Sequence, residues 1–386
     1  MILHQNGSVW STAIPFRGLV DSRGFGKHFM QVISSDATSV AAGSDHSLVL
    51  KQDSSIWAMG RNTQGQLGDR MKASRDSFFF VQTLFGAKAV FAGSGSSMVL
   101  TQEGIVWATG FNRFGQLGAG STSDRFRFRK VIPSEAQNVA AGDYHNIVLK
   151  QDGSLWAAGR NINGQLGDGS TINRNFFVKV MSSGVAIIAA GGSHSMVVKE
   201  DDSVWGTGWN GYGQLGGGSK VNEIFYVQLL SSGAKAVAAG SRHSMMLKQD
   251  DSVWATGYNE NGQLGDGSTI TRYRFVQVVS DGAMAIAAGA FHSMVVKEDG
   301  SVWATGSNEY GQFGDGSTTS QKNFVRLAPF ADGTVYDTIV CTRIHCQSLS
   351  MLYYIWFVSP YLLLVTCLYV SICAFFTVQD TRRLMR

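Results

Sequence analysis

Short apolar runs alternate with glycine-rich polar turns along most of the chain. In one stretch, the apolar run 294–296 leads into the turn formers 298–300, and residues 301–306 (Ser-Val-Trp-Ala-Thr-Gly) form a second run. Two such runs joined by a tight polar turn are typical of a β-hairpin. Residues 275–279 (Phe-Val-Gln-Val-Val) add a β-rich run before the next hairpin. Each unit is therefore predicted to supply about four short strands.

This unit repeats at a fixed period. Its tryptophans are separated by 47, 50, 49, 49, 49 and 49 residues, in the order Trp10, Trp57, Trp107, Trp156, Trp205, Trp254 and Trp303. The sequence Gly-Gln-Leu-Gly recurs at the same period at 65–68, 115–118, 164–167, 213–216 and 262–265, and Gly-Gln-Phe-Gly stands at 311–314. A fixed period of about 20 to 50 residues indicates a repeat architecture. The spacing predicts seven units.

A four-stranded sheet of this size cannot bury both of its faces alone, whereas sheets stacked radially around an axis bury each other's faces. The sequence therefore predicts an all-β, seven-bladed β-propeller over residues 1–345, with the tryptophans packed between blades in a structural role. The chain starts at the second strand of a unit, and residues 11–30 lack the Gly-Gln-Leu-Gly turn. The closing blade is expected to be shared by both ends, with its second half from about 324–348.

Composition narrows the class of protein. The 46 glycines and only 4 prolines fit many tight turns. A net charge of +4 on 386 residues gives no strong nucleic-acid signal. All four cysteines, at 341, 346, 367 and 373, lie in the last 46 residues. Residues 1–340 therefore contain neither a disulfide framework nor a cysteine metal site, which fits a reducing compartment. No secretory signal is visible at the N-terminus.

Histidines recur within the segment Ala-Ala-Gly-x-x-His-Ser. They are His46, His145, His194, His243 and His292, and one unit has Ser96 instead. Equivalent positions on successive blades lie too far apart to share a metal ion at bond lengths of about 2 Å. We expect structural hydrogen bonds rather than metal ligands. No nucleophile, base and orienting acid stand at a recognisable spacing, so no catalytic residue, metal or cofactor is predicted.

The tips of the Gly-x-Asn-x-x-Gly turns differ between units, as exposed loops can. These loop-tip residues include Arg61, Phe111, Arg113, Phe114, Arg160, Trp209, Tyr212, Tyr258, Glu260, Glu309 and Tyr310. They should lie on one face, and aromatic residues and arginine are enriched at protein interfaces. We hypothesise a protein-binding surface. The alternative is a set of ordinary solvated turns.

A basic segment in the third unit forms a second candidate surface. Its residues Arg125, Arg127, Arg129 and Lys130 are interleaved with phenylalanines, so a strand would place arginines on one side and phenylalanines on the other. With Arg70, Lys72 and Arg75 it would suit an acidic protein, a phosphate or lipid headgroups. The alternative is a solvated edge that discourages strand pairing.

The C-terminal tail, 346–386, has a different composition. No acidic or basic residue and no histidine occurs from 346 to 379, and residues 349–378 are long enough for a membrane-spanning helix. A tail anchor would leave the propeller in the cytosol, whereas Arg382, Arg383 and Arg386 favour the opposite topology. The repeat pattern also ends abruptly near 330–345, as a change of reading frame would cause. In that case the protein is expected to be soluble and cytoplasmic.

The repeated motifs resemble regulator-of-chromosome-condensation repeats. The resemblance rests on Ala-Ala-Gly-x-x-His-Ser, Val-Trp-Ala-Thr-Gly-x-Asn and Gly-Gln-Leu-Gly-Asp-Gly-Ser-Thr, and it covers about residues 1–330. It implies seven blades, in agreement with the tryptophan count. It also implies guanine-nucleotide exchange on a small GTPase as an alternative function. However, the founding member uses a loop insertion for exchange, and the units here run without one from Trp57 to Trp303.

Two other family roles match the chain poorly. There is no basic N-terminal tail for chromatin, and the tryptophans of the family's ultraviolet-sensing motif are replaced by Ser44, Ser94, Asp143, Gly192, Ser241 and Ala290. We therefore expect a monomeric, non-enzymatic propeller scaffold with a protein partner, possible membrane tethering through 349–378, and a small GTPase as one class of partner.

Overall fold

The computed structural model describes residues 1–12, 28–84, 86–327 and 336–339, and every regular element in them is a β-strand. The chain divides into two units, Met1–Leu349 and Ser350–Arg386, of which the second lies outside the described residues. The helix predicted for 349–378 also lies outside them. Within the described part, no helix is long and apolar enough to cross a bilayer.

The strands are short and evenly spaced. In chain order they are β1 (Ile2–His4), β2 (Val9–Thr12), β3 (Phe29–Ile33), β4 (Ala37–Ala42), β5 (His46–Lys51), β6 (Ser55–Gly60), β7 (Arg75–Thr83), β8 (Ala87–Ala92), β9 (Ser96–Thr101), β10 (Val106–Gly110), β11 (Arg125–Ile132), β12 (Ala136–Ala141), β13 (His145–Lys150), β14 (Leu155–Gly159), β15 (Arg174–Met181), β16 (Val185–Ala190), β17 (His194–Lys199), β18 (Val204–Gly208), β19 (Glu223–Leu230), β20 (Ala234–Ala239), β21 (His243–Lys248), β22 (Val253–Gly257), β23 (Arg272–Val279), β24 (Ala283–Ala288), β25 (His292–Lys297), β26 (Val302–Gly306), β27 (Gln321–Arg326) and β28 (Tyr336–Ile339).

These strands form seven four-stranded antiparallel sheets, the blades of the propeller. Blades 1 to 6 are β4–β7, β8–β11, β12–β15, β16–β19, β20–β23 and β24–β27, and blade 7 has the order β28-β1-β2-β3. The prediction of an all-β, seven-bladed propeller is confirmed. In blade 7, Ile2 pairs with Ile339 on one side and with Trp10 on the other. Of the range 324–348 predicted to complete the closing blade, β28 does join blade 7, whereas residues 324–326 belong to the last strand of blade 6.

The Gly-Gln-Leu-Gly turn fastens one blade to the next at four junctions of the described residues. In blade 1, Leu67 is fully buried, and Thr109 of blade 2 donates a hydrogen bond to the Gly65 carbonyl at 2.9 Å. Gly68 has a φ of +77°, and a Cβ atom there would lie 2.6 Å from the Phe128 ring of blade 2. Only glycine meets both the left-handed backbone and this close approach. The turn motif is therefore an inter-blade joint.

The core lies between blades. Trp57 is half-buried and packs on a cluster that combines Leu3 of blade 7 with Val49 of its own blade. Its Nε1 donates to Ser55 Oγ at 2.9 Å, and the Lys51 ammonium lies 4.4 Å from the ring centroid on the outer side. The other tryptophans that pack on inter-blade clusters are Trp107, Trp156, Trp205, Trp254 and Trp303. Each ring is thus half-buried, and in five of the blades its Nε1 donates to the Oγ of a buried serine two residues earlier.

Trp10 of blade 7 has a similar environment. Its ring lies 5.9 Å from that of His4, and its Nε1 donates to Ser8 Oγ at 3.3 Å.

Candidate functional site

The recurring histidines take part in hydrogen-bond relays between blades. His194 Nε2 lies 2.8 Å from Ser244 Oγ of the next blade, and Ser244 Oγ donates to the backbone carbonyl of Gln214 at 2.7 Å. Because the Ser244 hydroxyl hydrogen is donated to Gln214, the hydrogen between His194 and Ser244 must come from His194 Nε2. His194 is therefore the donor in that bond. The same relays are His46–Ser97–Gln66, His145–Ser195–Gln165 and His243–Ser293–Gln263.

Burial keeps these imidazoles neutral. Desolvation lowers the pKa from 6.5 to about 4 for His46, His194 and His292, and to about 3 for His145 and His243. A Cβ atom on Gly191 would lie 2.4 Å from His194 Cε1, so the glycine of Ala-Ala-Gly makes room for the ring. Within the described residues, no three or more His, Cys, Asp or Glu side chains are grouped to hold a metal ion.

One junction departs from the relay. Blade 2 has Ser96 at the histidine position, and blade 3 has Asn146 at the serine position. Asn146 Nδ2 donates to the Gln116 carbonyl at 2.7 Å, so the longer amide makes the bond that serine makes elsewhere. Asn146 Oδ1 is buried without a hydrogen-bond partner. The orphaned Asn146 Oδ1 has a counterpart in the relays, where the histidine Nδ1 is buried without a hydrogen-bond partner.

Two aromatic clusters occupy the loop-tip face. The first, called the blade 2–3 cluster, consists of Phe111, Phe114, Tyr144 and Arg160. Its three ring centroids lie 5.3 to 5.9 Å apart. The Arg160 guanidinium lies 5.4 Å from the Phe114 centroid and 5.7 Å from that of Tyr144. Loops of two successive blades thus build one cation–π cluster.

The second cluster, called the blade 4–6 cluster, consists of Trp209, Tyr212, Arg242, Tyr258 and Phe291. Its rings form a chain, with centroid distances of 5.2 Å, 4.9 Å and 6.1 Å from Trp209 through Tyr212 and Tyr258 to Phe291. The Arg242 guanidinium lies 5.5 to 5.8 Å from the first three centroids. Side chains from three blades therefore meet around one arginine.

The sequence singled out some members of these clusters and missed others. Tyr144, Arg242 and Phe291 come from the position just before the histidine in Ala-Ala-Gly-x-x-His, in the loop between the first two strands of a blade. That position holds a different residue in almost every unit. This variability was the sequence signal that could have identified the loop as part of the candidate site. The structure brings this loop against the Gly-x-Asn-x-x-Gly tip.

The remaining loop-tip residues are not members of the aromatic clusters. Arg61 pairs with Asp45 at 3.5 Å. Glu260 accepts a hydrogen bond from Tyr258 Oη at 2.8 Å. The pKa of Tyr258 is raised mainly by partial burial and further by this bond. Arg113, Glu309 and Tyr310 are exposed. Tyr310 occupies the repeat position of Phe114 and Tyr212 but has no ring contact with the described residues, and it is 66% exposed.

A small cavity of about 150 Å³ lies beside the blade 2–3 cluster. Its walls include the Asp45–Arg61 pair and the rings of Phe111 and Tyr144. Gly95 also lines it and occupies the position that carries Tyr144 in the next blade. A Cβ atom on Gly95 would lie 2.9 Å from Gln64 Oε1 and 3.2 Å from Phe111 Cβ, so these two side chains crowd the cavity wall there. The cavity is large enough for about one side chain of a partner.

The basic segment lies on β11, the outermost strand of blade 2. Arg127, Arg129 and Lys130 are exposed, whereas Phe128 is buried. The predicted alternation thus holds from 127 to 129 and ends at Lys130, where the strand pairs irregularly with β10. Arg125 is half-buried, and its guanidinium donates to Ser121 Oγ at 3.1 Å.

Of the other basic residues, Lys72 lies 5.0 Å from the Phe126 centroid, and Arg75 pairs with Asp69 at 3.4 Å. Arg70 is exposed, and its backbone N–H donates to the Phe126 carbonyl at 2.7 Å. Loops of blade 1 therefore extend the basic surface of blade 2.

Seven four-stranded blades packed radially, with variable loop tips on one face, define a seven-bladed β-propeller. Two sequence profiles of the regulator of chromosome condensation (RCC1) repeat match the chain. One matches 37–66, 87–116, 136–165, 185–214, 234–263 and 285–312, and the other matches 103–149, 152–198, 201–247 and 250–296. The chain belongs to the regulator of chromosome condensation repeat family, as its motifs predicted.

Several solved structures share the fold. Yeast RCC1 (Prp20), in its crystal structure with Kap60, has 20% identity and a TM-score of 0.75, with 89% of each chain covered. Human WBSCR16 has 21% identity and a TM-score of 0.72, covering 83% of this chain and 89% of its own. Prp20p from Saccharomyces cerevisiae, studied with its binding to Gsp1p and histones, has 20% identity and a TM-score of 0.69, covering 86% and 88%. No curated protein sequence matches the chain.

Proposed function

We propose that this propeller is a non-enzymatic scaffold that binds a protein partner through its loop-tip face. The observation that supports this most directly is the blade 4–6 cluster, in which four aromatic rings and Arg242 meet on a variable surface. Tyrosine, tryptophan and arginine are the residues that most often dominate binding energy at interfaces.

The clusters are organised before any partner binds. Each ring is held by a neighbouring ring, and each arginine plane lies against at least two of them. Side chains that are already ordered lose less conformational entropy on binding. Among the described residues, neither Arg160 nor Arg242 is in an ion pair. Their N–H groups are therefore suited to acceptors on a partner.

Affinity capture with cluster variants tests the proposal. The full chain, the variants Tyr212→Ala and Arg242→Ala, and the control Tyr310→Ala are compared by quantitative mass spectrometry of proteins captured from native lysate. Each captured protein is then purified and titrated against all four chains. The control removes an exposed tyrosine from the same repeat position. Direct binding that both cluster variants weaken and the control preserves would support the scaffold. Binding that no cluster variant changes would contradict it.

A small GTPase is the second class of partner to test. The support is the fold shared with Prp20p, a protein whose binding to Gsp1p has been studied. The same captured material is assayed for release of a fluorescent guanine nucleotide. Accelerated release by the full chain, lost in Arg242→Ala, would favour an exchange factor. Binding without faster release would favour a scaffold.

Membrane tethering is the third part of the proposal. It is supported by the uncharged segment 349–378, with the propeller expected on the cytosolic side. Membranes are extracted at high pH and treated with protease. Retention of the chain, with a protected C-terminal fragment, is expected for an anchor. Full extraction would remove this part of the proposal and leave a soluble cytoplasmic propeller.

A further inference from the structure

The turn Gly-Asp-Gly-Ser holds a buried carboxylate in several blades. In blade 3, Asp168 accepts hydrogen bonds from Asn161 Nδ2 at 2.8 Å and from Ser170 Oγ at 2.8 Å. Its other oxygen accepts from the guanidinium of Arg174 at 2.7 Å. The carboxylate is only 7% exposed. Three side-chain donors thus enclose one anion just below the surface.

Blade 5 repeats this arrangement. Asp266 accepts from Asn259 Nδ2 at 3.0 Å, from Ser268 Oγ at 2.7 Å and from Arg272 at 2.7 Å, and it is also 7% exposed. In blade 1, Asp69 accepts from Asn62 at 2.7 Å and from Arg75 at 3.4 Å. The chain itself therefore shows how this turn binds a carboxylate.

Blade 2 keeps the donors but not the carboxylate. The equivalent residues are Asn112, Ser121 and Arg125, while Ala119 replaces the aspartate. Asn112 Nδ2 donates to the Ser121 carbonyl at 2.8 Å, as Asn161 does to Ser170 at 3.0 Å. The Arg125 guanidinium reaches Ser121 Oγ at 3.1 Å, and the bond of Arg174 to Ser170 Oγ is 3.4 Å. The three donors are therefore held in nearly the same positions.

The backbone of the turn is also preserved. Gly120 has a φ of +76° and donates to the Asn175 carbonyl at 2.8 Å, and Gly169 has a φ of +79° and donates to Ile224 at 2.9 Å. In blade 2, however, Arg125 Nε is buried without a hydrogen-bond partner. The equivalent Nε of Arg174 is the atom that bonds the aspartate. A buried, charged donor without an acceptor is costly, because it has lost its bonds to water without gaining others.

We propose that blade 2 binds a carboxylate from outside the chain, between Ala119 and Arg125. The carboxylate would accept from Ser121 Oγ and Arg125 Nε, as Asp168 does from Ser170 and Arg174, whereas Asn112 Nδ2 donates to the carbonyls of Ser121 and Ser123 at 2.8 and 3.0 Å. Arg127 and Arg129, exposed on the same strand, add positive charge that attracts an anion. One acidic group, Asp124, adjoins the site, and its carboxylate is engaged by the Asn112 backbone N–H at 2.8 Å.

Either of two kinds of molecule could supply this carboxylate: a small organic acid, or a protein partner with an acidic side chain. The exposed Phe176 ring lies against Gly120, next to the site, and would suit the second source because it offers an apolar contact beside the carboxylate. Asn112, Ala119 and Ser121 lie in the β10–β11 loop that also carries Phe111 and Phe114, but the hydrogen bonds of the site involve no residue of the blade 2–3 cluster.

Formate is the first probe. The Tm of the full chain is measured with increasing sodium formate, against sodium chloride at equal ionic strength. A saturable rise on the order of 2 °C at ten times the Kd is expected with formate only. Equal responses to formate and chloride would overturn the proposal.

Internal variants make the test specific. Ala119→Asp supplies the carboxylate within the chain, so it should raise the Tm and abolish the formate response. Arg125→Gln should also abolish the response without supplying the carboxylate, which covers the case in which Ala119→Asp folds poorly. Asp168→Ala should create a second formate-responsive site in blade 3. A response that persists in Arg125→Gln would overturn the proposal.

Peptides distinguish the two sources. Acetyl-Gly-Asp-Gly-amide and acetyl-Gly-Asn-Gly-amide are titrated against the full chain and Ala119→Asp by calorimetry. Binding of the aspartate peptide to the full chain alone would identify an acidic side chain as the ligand. A formate response without peptide binding would assign the site to small organic acids. Binding of neither probe would overturn the proposal.

Discussion

His194 in blade 4 and Ser244 in blade 5 are joined by a hydrogen bond of 2.8 Å between Nε2 and Oγ, although they are 50 residues apart in the chain. Ser244 Oγ in turn donates a hydrogen bond to the Gln214 carbonyl of blade 4. One serine of blade 5 therefore makes two hydrogen bonds to blade 4. The imidazole is therefore a structural donor, and its neutral state is required for packing in this buried position.

The first prediction concerns acid stability. The pKa of each of the five recurring histidines is lowered from 6.5 to about 4 or 3, so the unfolded state binds more protons between these values. The stabilisation from the neutral histidines is full above pH 6.5 and is lost as the pH falls toward 4. The free energy of unfolding should fall by up to about 1.4 kcal/mol per pH unit for each histidine. Urea unfolding at pH 7, 6 and 5 measures this.

A single variant links that slope to the relays. His243→Gln removes one titrating group, so its stability should depend less steeply on pH over the same range. A wild-type profile that is flat between pH 7 and 5 would contradict the prediction.

The second prediction concerns the relay serine. Ser244→Ala removes both inter-blade bonds and leaves the buried His194 Nε2–H without its acceptor. We expect a loss of about 1 to 3 kcal/mol in the free energy of unfolding, measured by urea denaturation at pH 7. Ser280→Ala is the control, because Ser280 is exposed and bonds only to Asp281 nearby. Equal effects of the two substitutions would show that the relay adds no stability.

The third prediction concerns the junction of blades 2 and 3. Ser96→His together with Asn146→Ser rebuilds the relay found at the other junctions. Each substitution alone leaves one partner missing, so the double variant should be more stable than the sum of the single effects. A coupling of about 0.5 to 3 kcal/mol is expected in a double-mutant cycle. Strictly additive effects would contradict the pairing inferred for Ser96 and Asn146.

The fourth prediction separates backbone strain from close contact at glycines. Gly265 has a φ of +78°, and a Cβ atom there would lie 2.5 Å from the Phe324 ring of the next blade. Gly282 has a φ of +68° with nothing within 4 Å. Gly282→Ala should cost about 1 to 2 kcal/mol from the left-handed backbone alone. Gly265→Ala should cost a further amount of about 1 to 3 kcal/mol from overpacking, measured by thermal and urea unfolding.

Much of the fold was predictable from the sequence, because recurring residues give the length and the number of the repeats directly. The tryptophan spacing specified seven units, and the turn formers marked the strand ends. The sequence could not show that Ser244 belongs to the environment of His194, because that contact depends on how one blade stacks on the next. The same limit applied to Gly265, whose ring neighbour Phe324 comes from another blade.

The candidate site was less accessible to sequence reasoning. Trp209, Tyr212 and Tyr258 stood out as variable aromatic tips, and the structure places them in one cluster. Arg242 was missed because it lies in a different loop, and only the stacking of blade 5 on blade 4 brings it among these rings. The Gly-Asp-Gly-Ser-Thr segment was recognised as a turn. The ion pair between its aspartate and an arginine six residues later became visible only in three dimensions.

Most of the inter-blade joints use the same few atoms, whereas the tips they support differ from blade to blade. A tip can therefore be exchanged between blades without disturbing the joint beneath it. Because each aromatic cluster draws its side chains from two or three blades, a change in one tip alters a surface that neighbouring sectors share, while the joints hold those sectors at fixed angular positions.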